Sequence, residues 1–481
     1  MRPTALALLL AAALAGCSAL RPQPPARVGA SGAASADSIA GVDSLSRAST
    51  AAPVPLETRT LPNGLRVVAH RNPVVPLVTI EIDVKNGAYT QTPDYEGLAH
   101  LYEHMFFKAN RAIPSQERWL ERTRELGMAW NGTTSAERVN YYFTLHRDDL
   151  REGLEFMRDA IRYPLFDQGE LERERPVVLG EYDRNESNPP FALAKAVDSL
   201  LWSPAYFSRK NTIGNREVIA TTPREKMTAI QQRYYVPNNA ALILAGDVEP
   251  AEVFRLAEEV FGDWERGADP FSTHPIPPVP PLAASAAVVV ERPVSSVTLT
   301  MSWQGPSVTR NTAFTYAADL FSAALNLPGT GFQKRIVDSG LAFGAGMSYT
   351  TLSHVGPVTL RAQTNPEKLL PLRRALQREI DAFDEQDYFT RAQIEAARRS
   401  LEVADVYVRE RPSGFAHTLG YWWAVANLQY YLNYVPNVLN VDRDDLAGFV
   451  RTYVQGRPRV TGVLIAPADR AKIALDREDL L

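Results

Sequence analysis

The chain has 481 residues, of which 45% are hydrophobic and 22% are charged, as in ordinary globular proteins. Its formal net charge of −4 gives no indication of a nucleic-acid-binding surface. A chain of this length exceeds what a single hydrophobic core normally supports, so more than one domain is expected.

The first 17 residues have the pattern of a bacterial lipoprotein signal peptide. A positive start is followed by a short apolar stretch and then by Leu-Ala-Gly before Cys17. Cys17 is the single cysteine of the chain, so a disulfide within the chain is excluded and a lipid attachment site is predicted. The alternative is an ordinary signal peptide that happens to contain a cysteine. Because Ser18 follows, we expect a bacterial cell-envelope protein anchored by lipid to the outer membrane and facing the periplasm.

Two stretches of biased composition predict the domain organisation. Residues 18–55 are rich in Ala, Ser and Pro and should form a flexible tether. Residues 267–284 contain six prolines and are predicted to be an interdomain linker. They separate a first half, residues 56–266, from a second half, residues 285–481.

In the first half, an alternating strand at residues 75–84 precedes a motif of metal-binding type. His100, Glu103 and His104 form the pattern H-x-x-E-H. On a helix the two histidines lie on one face, where two imidazoles can hold one Zn²⁺. Glu103 is then placed to take a proton from water. Hydrolytic zinc sites have three protein ligands, so a third ligand is expected.

Glutamates further along the chain are the best candidates for that ligand. Glu174 and Glu181 are seven residues apart, so they project from one face if residues 170–182 are helical. Taken alone, the two residues are typical of a solvated, charged helix face. Pro176 lies between them and could kink the helix.

The motif and its spacing resemble the pitrilysin/insulinase family of zinc peptidases, in which a glutamate ligand follows H-x-x-E-H after a gap of this size. Glu181 lies 77 residues after His104. The resemblance implies that His100, His104 and Glu181 bind zinc. It implies that Glu103 is the general base and that Glu174 orients a ligand histidine.

The resemblance extends through residues 129–143, where it implies that Asn131 contacts the substrate backbone. A turn-forming Asn-Gly is the alternative at that position. The fold it implies is α+β: two tandem homologous domains, each a mostly antiparallel sheet with helices packed on one face. The two halves would face each other across a cavity.

The second half is predicted to be an inactive copy of the first. Residues 294–303 alternate like residues 75–84, and at the same offset His100 corresponds to Asp319 and Glu181 to Ser400. Many family members carry an Arg and a Tyr in the second half that support the transition state. Here Ile336 and Phe343 stand at those positions.

These observations predict a zinc metalloendopeptidase that hydrolyses peptides or unfolded segments. The absence of the Arg/Tyr pair predicts a dimer, with a homologous half-length subunit that carries the pair or with a second copy of this chain. The alternative is a non-catalytic periplasmic scaffold or peptide-binding subunit with a vestigial metal site. The aromatic residues at 420–425 and 430–434 are predicted to pack in a core or interface rather than to bind substrate.

Overall fold

The computed structural model describes residues 55–481 of the chain. The predicted signal peptide, Cys17 and all but the last residue of the predicted tether lie outside the described residues. Two β-sheets, one in each half, organise this part of the protein. Most strand pairs are antiparallel and helices cover the sheets, which confirms the predicted α+β class. Among residues 55–481, no helix combines the length and apolar character needed to cross a bilayer.

The first sheet has six strands in the order β1-β2-β6-β3-β5-β4. They are β1 (Leu56–Thr60), β2 (Arg66–Arg71), β3 (Leu77–Val84), β4 (Ala129–Thr134), β5 (Val139–His146) and β6 (Ala240–Gly246). Only the β2–β6 pair is parallel. Strand β4 therefore lies at one edge of the sheet.

The second sheet has five strands in the order β7-β11-β8-β10-β9. They are β7 (Ala286–Glu291), β8 (Val297–Gln304), β9 (Gly344–Tyr349), β10 (Pro357–Thr364) and β11 (Val460–Ile465). Its topology repeats that of β2-β6-β3-β5-β4, including one parallel pair at the same place. The predicted sequence repeat falls on β3 and β8, which occupy the same central position in the two sheets.

Nineteen α-helices accompany these strands in residues 55–481. Those before the second sheet are α1 (Leu98–Phe106), α2 (Gln116–Glu125), α3 (Leu150–Arg162), α4 (Gln168–Glu186), α5 (Pro189–Leu201), α6 (Pro204–Phe207), α7 (Arg216–Thr221), α8 (Arg224–Tyr234), α9 (Pro250–Phe261) and α10 (Pro270–Thr273). The later ones are α11 (Val308–Asn326), α12 (Gly331–Gln333), α13 (Leu369–Ala382), α14 (Arg391–Val408), α15 (Pro412–Val425), α16 (Leu428–Leu432), α17 (Tyr434–Asn440), α18 (Arg443–Tyr453) and α19 (Pro467–Ile473).

Each sheet packs its own helices on one face, as predicted, and a helix from the other half on the opposite face. Helix α15 of the second half places Phe415 and Leu419 against Ile243 of the first sheet. Helix α5 of the first half places Leu193 and Val197 against the second sheet. The prediction of helices on one face was therefore incomplete. The sequence carried a signal for this, because β6 is a run without polar side chains, AALILAG, as in strands covered on both faces, and all seven residues are buried.

The aromatic residues near the C-terminus pack as predicted. Tyr430 and Tyr431 are buried, and the Trp422 ring stacks on Tyr430 with 4.9 Å between ring centroids. The ring of Tyr316 in α11 also stacks on Tyr430, again with 4.9 Å between ring centroids. These rings therefore join α15 and α16 to the core of the second half.

Candidate metal centre

Helix α1 presents its apolar side to the first sheet and the H-x-x-E-H motif to the other side. Leu101 and Tyr102 are fully buried, and the Tyr102 ring stacks on Tyr235 with 4.0 Å between centroids. Residues at the intervening helical positions must point away from this core. His100 and His104 do so, and their ring centroids are 4.9 Å apart with the planes nearly perpendicular.

Glu181 of helix α4 approaches both histidines. Its Oε2 lies 3.5 Å from Nε2 of His100 and 3.7 Å from Nε2 of His104. All three side chains are largely buried, with 15–16% of each side chain exposed. One ligand atom from each of the three residues lies within 4.8 Å of the others. The structure thus brings the three predicted zinc ligands together.

Helix α4 stays continuous past Pro176. It begins after Asp167, whose side chain accepts a hydrogen bond from the backbone N–H of Glu170 at 2.9 Å, and runs to Glu186. Pro176 removes one backbone donor inside the helix without ending it. Glu174 and Glu181 therefore face helix α1 together, two turns apart.

The donor set fits a zinc ion. Bonds of about 2.0–2.2 Å in a tetrahedral arrangement place ligand atoms roughly 3.3–3.5 Å apart, close to the distances seen here. Burial and the neighbouring charge of His104 lower the pKa of His100 to about 4, so its ring is neutral at physiological pH, as metal binding requires. Burial alone would also lower the pKa of His104, but hydrogen bonds to Glu174 and Glu181 outweigh it and raise that pKa to about 9.

Glu174 holds the ring of His104 in place. Its Oε1 lies 2.8 Å from Nδ1 of His104, and its Oε2 lies 2.6 Å from Nζ of Lys108. Because a carboxylate only accepts hydrogen bonds, Nδ1 carries a hydrogen, and Nε2, which faces Glu181, is the nitrogen that would bind a metal after losing its own proton. This matches the position that the family resemblance implied for Glu174.

Glu103 lies on the same helix with its carboxylate fixed from the sheet. The hydroxyl of Thr134, the last residue of β4, donates to Oε2 of Glu103 at 2.6 Å. Burial raises the pKa of Glu103, while this hydrogen bond partly opposes the rise. A carboxyl group of raised pKa beside a metal site is suited to accept and return a proton.

Asn131 lies within the edge strand β4 and not in a turn, so the alternative of a turn-forming Asn-Gly does not apply. It pairs in register with Tyr142 of β5. A Cβ at Gly132 would lie 3.1 Å from Cγ of Glu103, so the glycine permits the close approach of β4 to helix α1. Within the described residues, no strand pairs with the outer edge of β4.

The second half supplies no arginine at the position predicted from the family pattern. Ile336 is fully buried, while Phe343 is 61% exposed. The neighbouring Arg335 forms a two-point ion pair with the buried Glu379, with nitrogen–oxygen distances of 2.5 and 2.8 Å. Tyr388 donates to the same carboxylate at 2.6 Å. Arg335 is therefore engaged within its own half.

Two residues of the site were missed from the sequence. Lys108 is four residues after His104, a spacing that places it on the same side as the motif. Thr134 is three residues after Asn131 in a strand already associated with the metal site. That Thr134 contacts Glu103 is visible only in the tertiary structure, because a long connection separates α1 from β4.

Two family profiles match the chain. One described as "Insulinase (Peptidase family M16)" covers residues 66–213, which include the motif and Glu181. One described as "Peptidase M16 inactive domain" covers residues 222–401. The chain belongs to the insulinase family of peptidases, family M16. This confirms the resemblance inferred from His100, Glu103, His104 and the downstream glutamates.

Relatives in this M16 family include proteins named as zinc proteases. The chain is 25% identical over 378 residues to an "Uncharacterized zinc protease" of Rickettsia bellii, covering 76% of this chain and 86% of that protein. It is 28% identical over 211 residues to the mitochondrial-processing peptidase subunit beta of Blastocladiella emersonii, covering 43% and 44% of the two chains.

Solved structures share the fold. A protease from Helicobacter pylori superposes with a TM-score of 0.76 at 20% identity, over 86% of this chain and 100% of that one. The periplasmic protease PqqL from Escherichia coli superposes with a TM-score of 0.73 at 17% identity, over 89% of this chain and 50% of that one. The two-sheet architecture is therefore shared with solved structures of proteases.

Proposed function

We propose that this protein is a zinc-dependent endopeptidase that hydrolyses peptides or unfolded segments. The observation that carries the proposal is the convergence of His100, His104 and Glu181 within 4.8 Å, beside Glu103. A zinc ion held by these three residues would supply a Lewis acid that polarises a peptide carbonyl and acidifies water. Zinc protease relatives in the same family support this choice of metal.

The remaining chemistry falls to side chains of the first half. Oε2 of Glu103 accepts a hydrogen bond from the hydroxyl of Thr134. Oε1 is therefore left to take a proton from the attacking water and to return it to the leaving amine. The outer edge of β4 offers backbone groups to an extended peptide, which would add as a further strand beside Asn131. Such binding recognises backbone more than side chains and suits unfolded substrates.

Two substitutions test the proposal. Glu103→Gln should keep one zinc per chain but lose peptide hydrolysis, because an amide cannot accept the proton from water. His104→Ala should lose stoichiometric zinc. Equal hydrolysis by Glu103→Gln and the parent would refute the mechanism. One tightly bound zinc in His104→Ala would refute the ligand assignment.

The second half of the chain supports the proposal of a partner subunit. Ile336 is buried and Arg335 is tied to Glu379, so the chain lacks a free arginine at the family position. We therefore propose a dimer, either with a homologous half-length subunit that supplies an Arg/Tyr pair or with a second copy of this chain. Losing one donor of this kind typically costs about 10²–10³-fold in rate.

Ile336 and Phe343 are also the observations that favour a second function. A periplasmic scaffold or peptide-binding subunit with a vestigial metal site would tolerate both residues. The complete set of metal ligands and the fixed base, Glu103, favour the enzyme. Absence of hydrolysis by the parent protein, alone and with half-length homologues, would favour the scaffold.

We further propose that the protein acts at the bacterial cell envelope, anchored by lipid on Cys17 and facing the periplasm from the outer membrane. A flexible tether of residues 18–55 would have a root-mean-square reach of roughly 35 Å. The support for this location is the sequence pattern around Cys17.

A further inference from the structure

The turn that joins β4 to β5 connects the base to the second half of the protein. This bridging turn, residues 135–138, begins directly after Thr134, the residue that holds Glu103. It is closed by two hydrogen bonds to the carbonyl of Arg138, from the backbone N–H of Ser135 at 2.8 Å and from its hydroxyl at 3.0 Å. A hairpin turn of this kind is normally solvated, yet two charged residues within it are buried.

The first of these is Glu137, of which 1% is exposed. Its carboxylate crosses to the loop between β9 and β10, residues 350–356. There it accepts the backbone N–H of Ser353 at 2.7 Å and that of His354 at 3.2 Å, and Nδ1 of His354 lies 3.5 Å away. A buried carboxylate with this many donors is fixed in position.

The second is Arg138, of which 8% is exposed. Its guanidinium donates to the carbonyl of His417 in helix α15 at 2.8 Å and lies 3.2 Å from a carboxylate oxygen of Asp83 in β3. The bridging turn is thus fastened to the second half at two separate elements, the β9–β10 loop and helix α15.

The first half also braces the turn. The backbone N–H of Ala88 donates to the carbonyl of Ser135 at 3.2 Å, and that of Tyr89 donates to the carbonyl of Ala136 at 2.9 Å. Gly87 has φ of +140°, and a Cβ there would lie 2.5 Å from the carbonyl oxygen of Ser135. The turn is therefore packed from both sides, and its position sets that of the adjoining Thr134.

We propose that Glu137 is a positioning residue through which the second half holds Thr134 against Glu103. The second half then has a role in the reaction although it carries no metal ligand. It fixes the end of β4 and so orients the carboxylate of the base. The inference rests on the proposed peptidase function and assigns to that function a contribution from the inactive half.

Glu137→Gln is the first test, because the amide keeps the shape but turns one acceptor oxygen into a donor that faces a backbone N–H. The matched control is Tyr421→Phe. The Tyr421 hydroxyl donates to the carbonyl of Thr351 at 2.6 Å, so this control loosens the same β9–β10 loop while it keeps the ring that lies against the Arg138 guanidinium. Both proteins are assayed for kcat, KM, zinc content and melting temperature, with any partner subunit that the parent needs.

We expect Glu137→Gln to lower kcat by about tenfold or more, since displacement of a catalytic group by about 1 Å can cost 10²-fold. KM should change by less than about twofold and zinc should stay at one per chain. Tyr421→Phe should keep kcat within about twofold of the parent even if it melts earlier. Equal kcat in Glu137→Gln and the parent would overturn the proposal.

A double-mutant cycle with Thr134→Val asks whether the two residues act as one unit. If Glu137 works through Thr134, the double variant should be no slower than the slower single variant. Rates that fall by the product of the two single effects would show that Glu137 acts independently of Thr134, and would overturn the proposal.

Amide hydrogen exchange separates this inference from the peptidase function itself. Glu137→Gln should speed exchange in residues 129–139 by about tenfold or more, whereas Tyr421→Phe should affect mainly residues 350–356. If the parent hydrolyses no peptide, the proposed function fails, but this comparison still tests whether Glu137 holds residues 129–139 in place. Unchanged exchange in residues 129–139 of Glu137→Gln would overturn it.

Discussion

The carboxylate of Glu174 should determine how tightly the centre holds zinc, although it is not itself a zinc ligand. Its two oxygens contact His104 Nδ1 at 2.8 Å and Lys108 Nζ at 2.6 Å, and 10–16% of these side chains is exposed. Glu174→Gln keeps a carbonyl oxygen that can accept from Nδ1. It removes the negative charge and turns an amide N–H₂ towards the Lys108 ammonium.

We expect this substitution to weaken zinc binding by about 10- to 100-fold, the usual cost of losing the partner that orients a ligand histidine. That range corresponds to about 1.4–2.7 kcal/mol of binding free energy. Competition with a chromophoric chelator measures the zinc dissociation constant directly. Glu172→Gln is the matched control, because Glu172 is an exposed residue on the same helix.

The pH dependence of the same assay adds a second criterion. The pKa of His104 is raised to about 9, so below pH 9 zinc must displace a proton from this ring. The zinc affinity of the parent should therefore rise by up to about tenfold per pH unit between pH 7 and pH 8.5. The dependence should be weaker in Glu174→Gln, which has lost one cause of the raised pKa. If Glu174→Gln binds zinc at pH 8.5 with an affinity within threefold of that of the parent, the reasoning is refuted.

Three further predictions concern other parts of the chain. Burial raises the pKa of Asp198 from 3.8 to about 6 despite a hydrogen bond from Trp202, so the contribution of Asp198 to stability falls as pH rises from about 4 to 6. Asp198→Asn should remove that loss and, at pH 7.5, raise the free energy of unfolding by on the order of 3 kcal/mol in urea titrations. A variant that is no more stabilised relative to the parent at pH 7.5 than at pH 4 would contradict this. Mixing the chain with a half-length homologue that carries the Arg/Tyr pair should raise the hydrolysis rate by at least about 10²-fold, whereas full activity of a purified monomer would exclude the need for a partner. Cys17→Ser should release the protein from membranes or stall its processing, and unchanged membrane fractionation and mass would rule out the lipid anchor.

Arg335 is next to Ile336, the position at which many family members carry the arginine, but its ion pair prevents it from taking over that role by a shift of one residue. Its guanidinium is held by both oxygens of a buried carboxylate, and freeing it would leave Glu379 with the Tyr388 hydroxyl but without the Arg335 charge. Substituting Arg for the fully buried Ile336 would instead place a charge in the core. The packing of the second half therefore does not accommodate an arginine at position 336, which is consistent with the proposal that a partner subunit supplies the arginine.

Local sequence patterns predicted several elements closely. The strand expected at residues 75–84 is β3 (Leu77–Val84), and the segment at residues 294–303 that alternates in the same way contains most of β8 (Val297–Gln304). Periodicity succeeded there because each element packs one side against a core formed largely within its own half. Pro176 was a misleading signal, since helix α4 continues through it while packed against α1 and α7.

The sequence by itself determined the chemistry of the centre. The spacing of His100, Glu103 and His104 on one helix requires them to share a side, and a short motif of this kind needs no knowledge of the rest of the chain. The two-sheet repeat and the M16 family also follow from sequence. Only the tertiary structure decided which residues hold the motif in place. Thr134 contacts Glu103 and Lys108 contacts Glu174 across elements distant in the chain, and the role proposed for Glu137 rests on contacts of the same kind. Helices α5 and α15, each of which packs on the sheet of the other half, are a further example. Such contacts arise from packing between whole elements. Local periodicity shows which side of an element is buried but not which other element packs against it.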